Sequence, residues 1–220
     1  MNRMQKTYKQ VLFDLDGTLT DPMEGITKAV AHALAHYGIH IADRRTLVPF
    51  IGPPLQDSFR RFFGFTPEQA DEACERYNDY FLPKGIFENR PYEGIDLLLA
   101  RLKAEGRTLL VATTKPEPLA ERILTHFGLR NYFDEIGGDT MERTRSDKAA
   151  VIAHVMEKAG IGTRTDEAVM VGDTEYDIAG ARKVGMDSIG VLYGYGDEQA
   201  LRTAGPTMTA RSIDELGRLL

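Results

Sequence analysis

Three short apolar runs, far apart in the chain, each end in residues that can do chemistry. Residues 10–14 (QVLFD) lead into Asp14, Asp16, Gly17 and Thr18. Residues 108–112 (TLLVA) lead into Thr113, Thr114 and Lys115. Residues 168–172 (AVMVG) close on Gly172 and Asp173, with Asp177 four residues on. Lys148 lies between the last two, near the start of a helical pattern; Arg143, Arg145 and Lys158 are its nearest rivals. Carboxylates converging in one crevice repel one another, and a cation must neutralise them. Hard carboxylate and carbonyl oxygens favour Mg²⁺ over softer metals. Lys148 and the threonine hydroxyls then remain for an anionic group. A carboxylate nucleophile, Mg²⁺ and anion-binding donors together are the needs of phosphoryl transfer. Lys115 reads as a loop charge.

The elements that must position these residues follow from the same runs. Each run is short and β-rich, as is 188–192 (SIGVL), and is closed by polar residues or glycine. Continuous apolar runs of this length suit strands covered on both faces. Helical patterns fall between them, near 94–105, 116–127, 147–159, 176–184 and 212–220. Alternation of the two gives an α/β fold with a parallel sheet and right-handed crossovers. Ligands of such sheets bind beyond the carboxyl ends of the strands, where the residues above stand.

Residues 21–88 break the rhythm and show only helical signals. Asp21-Pro22-Met23-Glu24 reads as a helix start, with Asp21 capping, Pro22 at the first helical position and Glu24 completing a box. Ile26, Val30, Leu34 and Tyr37 follow at helical spacing, and Gly38 is a stop. Thr66-Pro67-Glu68-Gln69 repeats the start, with an apolar stripe of Ala70, Ala73, Tyr77 and Phe81. The expected organisation is an α/β core of residues 1–20 and 90–220 with a helical insert, 21–89, and hinges at the two crossings.

The residues in order resemble the haloacid dehalogenase superfamily, in its branch of helical-cap hydrolases similar to phosphoglycolate phosphatase. The carriers are DLDGTLT (Asp14 to Thr20), Thr113 after its strand, the isolated Lys148, and GDTEYD (Gly172 to Asp177). The resemblance spans essentially the whole chain. It implies a three-layer Rossmann-like parallel-sheet core with an inserted all-helical cap. It also implies a Mg²⁺-dependent phosphatase that hydrolyses a small phosphorylated metabolite, phosphoglycolate-like or a nucleoside monophosphate. Asp14 would form an aspartyl-phosphate. Asp16 would protonate the leaving oxygen and then deprotonate water. Asp14, the Asp16 carbonyl and Asp173 would hold Mg²⁺, with Asp177 in support. Thr113 and Lys148 would bind phosphoryl oxygens, and Thr114 is a further candidate. An acid at position 16 favours phosphate esters over carbon–halogen bonds, because a halide leaves without a proton. The cap would carry selectivity: Gly52-Pro53-Pro54-Leu55 resembles a substrate loop, Arg60 and Arg61 could meet a second anionic group, and Lys84 and Asn89 are further candidates. A phosphomutase of the β-phosphoglucomutase type, or a non-catalytic phosphate-ligand protein, would share these motifs.

Composition narrows the partners. Of 220 residues 42% are hydrophobic and 27% charged, ordinary for a folded soluble protein. The formal net charge of -6 gives no basic field for nucleic acid. No apolar run approaches the ~18 residues of a membrane span. Cys74 is the single cysteine, so no internal disulfide is possible, and it falls on an apolar stripe. The opening MNRMQKTYKQ has no apolar stretch behind its charges, so no secretory leader is expected and the expected address is the cytoplasm. A monomer or homodimer is expected. His32, His36 and His40 have a tempting spacing, but Gly38 interrupts their helix and they read as a solvated face.

Overall fold

The computed structural model describes residues 6–220. The N-terminal residues 1–5, part of the stretch read for a leader, lie outside the described residues. In chain order the elements are β1 (Gln10–Phe13), β2 (Thr20–Asp21), α1 (Met23–His36), α2 (Leu55–Phe63), α3 (Pro67–Phe81), β3 (Arg90–Pro91), α4 (Ile95–Ala104), β4 (Thr108–Pro116) and α5 (Glu117–His126). They continue with β5 (Glu135–Asp139), α6 (Lys148–Lys158), β6 (Ala168–Gly172), α7 (Glu175–Lys183), β7 (Asp187–Val191), α8 (Glu198–Thr203), β8 (Met208–Ala210) and α9 (Ile213–Leu219). The chain divides into two compact units, one of Asp21–Arg90 and one of the chain up to Thr20 with Pro91–Leu220.

The larger unit is an α/β sandwich. Its sheet has the order β5-β4-β1-β6-β7-β8, all parallel, with β1 between β4 and β6. Successive side chains of a strand face opposite ways. Val11, Leu12, Phe13, Leu109, Leu110, Val111, Val169, Met170 and Val171 are nevertheless all fully buried. Both faces are therefore covered, which is why these runs lack alternation. On one face Leu12, Leu110 and Met170 pack against Val151, Ile152, Val155 and Met156 of α6. The topology places the carboxyl ends of β1, β4 and β6 side by side.

Two strands of this sheet carry no clear sequence signal. β5 carries EIGGD, where paired glycines interrupt the apolar signal, and β8 is only three residues long at the sheet edge.

The smaller unit is helical apart from Asp21 and Arg90, which belong to the two-residue strands β2 and β3; these pair with each other at the chain crossings. Ile26, Ala29, Val30, Ala33 and Leu34 of α1 are buried, as are Phe59 of α2 and Ala70, Ala73, Tyr77 and Phe81 of α3. Phe50 closes this core with its ring centroid 5.1 Å from that of Phe59. The start of α3 forms as its sequence demands: Thr66 Oγ1 accepts from Gln69 N at 3.2 Å, and Gln69 Oε1 accepts from Thr66 N at 3.0 Å. The start of α1 does not. Pro22 precedes the helix as its cap and no side-chain box forms. Asp21 instead accepts from Met23 N at 3.1 Å and pairs with Arg90 at 2.8 Å. The carboxylate is claimed by the second crossing, a partner 69 residues away that a local pattern cannot reveal. His32 and His36 are exposed, and Gly38 takes the left-handed conformation that ends the helix (φ 71°). Among the described residues no helix is long and apolar enough to cross a membrane.

Candidate active site

At the end of β1 the chain turns sharply. Gly17 has φ 81° and its N–H bonds back to the Thr20 carbonyl at 2.8 Å. A Cβ at position 17 would also overlap the Asp173 carboxylate. The glycine is thus needed twice, for the turn and for the approach of β1 to β6. Asp14 N donates to the Val171 carbonyl at 2.9 Å, which fixes Asp14 beside the end of β6. Its Oδ1 accepts from Leu15 N at 2.8 Å.

Asp14, Asp173 and Asp177 each offer a carboxylate oxygen, and these atoms lie within 4.8 Å of one another. This is the one group of three or more metal-type ligands found among the described residues. All three are buried. Lys148, itself 5% exposed, enters from the first turn of α6. Its Nζ stands 3.1 Å from Asp14 Oδ1 and 2.6 Å from Asp177 Oδ1, and donates to the Ala112 carbonyl at 3.0 Å. Arg143, Arg145 and Lys158, the rivals for this position, lie elsewhere: Lys158 pairs with Glu117 and Arg145 donates to the Gly138 carbonyl.

The cluster is short of positive charge. Burial pushes the Asp173 carboxyl up to about 7, with Asp177 and Asp14 adding to the rise. Burial also lifts Asp177, against the pull of Lys148. For Lys148 burial acts downward, but the two carboxylates outweigh it and the ammonium ends above the ordinary lysine range. Three buried acids facing one ammonium leave an excess of negative charge, which a divalent cation would neutralise.

Asp173 is held from two sides. Oδ1 accepts from Thr18 Oγ1 at 3.2 Å, and Oδ2 from the N–H groups of Tyr195 and Gly196 at 2.8 and 3.2 Å. The Tyr193 hydroxyl donates to the Thr18 carbonyl at 3.1 Å, so the loop after β7 braces both carboxylate-bearing turns. Asp177 Oδ2 accepts from Thr174 N and Oγ1 at 3.1 and 2.7 Å, closing a capping box on α7.

On the other flank β4 supplies Thr113, 2% exposed, whose Oγ1 accepts from Lys115 N at 3.2 Å. The β4–β5 register shifts between Ala112 and Pro116, a bulge of the kind that re-aims side chains at a sheet end. Gly138 makes it possible. A Cβ there would stand 2.6 Å from the Lys115 carbonyl and 2.7 Å from Glu117 N, both backbone atoms that cannot swing aside. Gly138→Ala is expected to cost about 2 kcal/mol of stability. Chemical denaturation of both proteins measures it, and an unchanged midpoint would mean that the bulge does not depend on Gly138.

The bulge delivers an interaction that the sequence reading missed. Lys115 is more than a loop charge: its ammonium stands 2.8 Å from Asp16 Oδ2. Burial lifts the Asp16 carboxyl above its ordinary value, against the pull of Lys115. Asp16 Oδ1 is buried with no hydrogen-bond partner. Thr114 is half-buried. Arg60 lies on α2, exposed, in the helical unit, and Arg61 beside it is exposed as well.

Comparison with known proteins shows the family. The model for haloacid dehalogenase-like hydrolases matches residues 11–191. A 5′-nucleotidase of Pseudomonas aeruginosa is 41% identical, over 97% of this chain and 96% of its own. The tyrosine-protein kinase PtkA of Mycobacterium tuberculosis is 37% identical, over 96% of this chain and 72% of its own. A solved structure, that of a predicted phosphatase from Clostridium acetobutylicum, superposes with a TM-score of 0.91 at 46% identity, over 97% of this chain and 98% of its own. The chain therefore belongs to the haloacid dehalogenase-like hydrolase family and is an enzyme of its phosphatase branch.

Proposed function

We propose that the protein is a Mg²⁺-dependent phosphatase that hydrolyses a small phosphorylated metabolite through an aspartyl-phosphate on Asp14. The observation that carries this reading is the buried group Asp14, Asp173 and Asp177, its ligand atoms within 4.8 Å, with Lys148 between two of its members. Asp14, Asp173 and the Asp16 carbonyl would hold the metal. Asp177, whose oxygens already meet Lys148 and Thr174, supports them. Bound Mg²⁺ supplies charge neutralisation for the transferring phosphoryl group. Lys148 and Thr113 bind the phosphoryl oxygens, and Asp14 attacks phosphorus. Asp16 gives its proton to the departing oxygen and takes one from the water that later frees Asp14. One residue serves both displacements in opposite protonation states, which is the economy of a covalent route.

Asp21–Arg90 is proposed as the cap that selects substrate, with Arg60 as an anion contact. A nucleoside 5′-monophosphate is the leading substrate class, supported by the full-length likeness to a 5′-nucleotidase; phosphoglycolate-like esters come second. The test is phosphate release from a panel of phosphorylated metabolites, with Mg²⁺ and with chelator. Metal-dependent release of free phosphate is expected. An isomerised sugar phosphate in place of free phosphate would make the protein a mutase. Tight ester binding with a background rate would make it a sensor.

The charge shortage has a consequence for stability. The folded Asp173 carboxyl, at about 7 against an ordinary 3.8, holds its proton more firmly than the unfolded chain does. Its contribution is present below the ordinary value and is lost as pH rises toward 7. In chelator, Asp173→Asn should therefore gain melting temperature over the wild type as pH goes from 5 to 8. Mg²⁺ should raise the wild type alone. Parallel melting curves at both pH values would contradict the assignment.

A further inference from the structure

The chain grips Asp16 by one oxygen only. Oδ2 takes the Lys115 ammonium at 2.8 Å, and both side chains are largely hidden, at 9% exposure for Lys115 and 15% for Asp16. Oδ1 is buried and has no hydrogen-bond partner. The terminal torsion of an aspartate is broad and two-fold, so the stem of Asp16 does not decide which oxygen is held and which is left without a partner. The ion pair decides it. Lys115 is itself held in place: its N–H rests on Thr113 Oγ1, and its carbonyl lies against the Cα of Gly138 at the β4 bulge.

We propose that Lys115 is a positioning residue for the reaction: it ties down Oδ2 of Asp16 and leaves Oδ1 as the oxygen that carries the proton to the leaving group. This rests on the reading of Asp16 as the acid of the first displacement. In that step Asp14 forms a bond to phosphorus and the bond from phosphorus to the ester oxygen breaks. The proton on Asp16 Oδ1 passes to that oxygen, and the product leaves as a neutral alcohol. An alkyl ester needs the proton, because an alkoxide is a poor leaving group. A p-nitrophenyl ester needs it little, because its phenolate is a stable anion. Loss of Lys115 therefore harms the two esters unequally. A group that merely binds phosphate would harm them alike.

The experiment compares kcat/KM for p-nitrophenyl phosphate and for an alkyl phosphate that the wild type turns over. That constant reports the steps through departure of the leaving group, so it isolates the protonation. Lys115→Met is expected to lose about 100-fold on the alkyl ester and under about 5-fold on the aryl ester, the lower end of what a positioned acid contributes. Lys115→Arg, which keeps a cation beside Oδ2, is expected to recover most of the alkyl activity. Equal losses on the two esters, or no loss on either, would overturn the proposal. Thermal melts check the fold, and Lys115→Gln takes the place of the Met variant if that one melts early. Asp16→Asn in the same assay separates the two readings. If it also loses both esters equally, the acid role of Asp16 fails. If it loses the alkyl ester selectively while Lys115→Met does not, only the positioning role fails.

Discussion

Asp14→Asn is expected to lower phosphate release from every ester by about 10⁴-fold or more, the scale seen when a covalent nucleophile is removed and binding and electrostatics remain. The amide has the shape of the carboxylate but cannot form the acyl phosphate. Its oxygen can still accept from Leu15 N, the 2.8 Å contact that orients the side chain, so the turn after β1 persists. The substitution also removes one charge from a buried group of three acids facing one ammonium. The chelated variant should therefore melt no lower than the wild type, which distinguishes lost chemistry from lost fold. Two readouts check the expectation. Phosphate release gives the rate, and acid-quenched labelling gives the hydroxylamine-sensitive phosphoenzyme that only the wild type should form. Substantial Mg²⁺-dependent turnover by the variant would remove Asp14 from the role of nucleophile.

How far the sequence reaches can be judged residue by residue. Asp14, Asp16 and Asp173 are legible because each lies just past the end of an apolar run, and Asp177 because it follows in the first turn of the next helix; the sheet order then brings the ends of β1, β4 and β6 together. Lys148 is legible only as one of several basic residues; its place in the first turn of α6 separates it from Arg143, Arg145 and Lys158. The Lys115–Asp16 pair is not legible at all. It depends on a bulge whose existence rests on Gly138, and Gly137 and Gly138 are also what hid β5 from a periodicity reading. Gly137 meets Val155 of α6 where a Cβ would stand 2.5 Å away, so both glycines are packing requirements set by distant chain. The Tyr195 and Gly196 N–H groups on Asp173 belong to the same class, since backbone donors carry no side-chain signature. Asp21 shows the converse error. Its local pattern fits a cap with a box; Oδ1 does meet Met23 N, but a long-range ion pair with Arg90 holds Oδ2 and no box forms.

The second large expected effect is on stability. Lys148→Met keeps the length and apolar stem of the side chain and deletes the ammonium between Asp14 and Asp177. Breaking a buried pair by removing one partner costs about 3–5 kcal/mol, because the remaining charges stay buried without compensation. In a chain of this size that is a fall of roughly 10 °C in melting temperature. The loss should be largest in chelator at pH 8, where the Asp173 carboxyl, at about 7, has given up its proton and nothing offsets the acids. Lowering the pH to 5 restores a proton to the cluster and should narrow the gap. Adding Mg²⁺ should narrow it at pH 8, because a cation held by Asp14 and Asp173 supplies part of the missing charge. Activity should not return with the metal if Lys148 binds the phosphoryl oxygens as proposed. Asp177→Asn in the same background tests the origin of the cost. The double variant should be less destabilised than the sum of the two single ones, since the second change removes the acid that the first left unpaired. Additive losses, or a melting temperature for Lys148→Met within 2 °C of the wild type in chelator at pH 8, would mean that the ammonium is not what holds these carboxylates together.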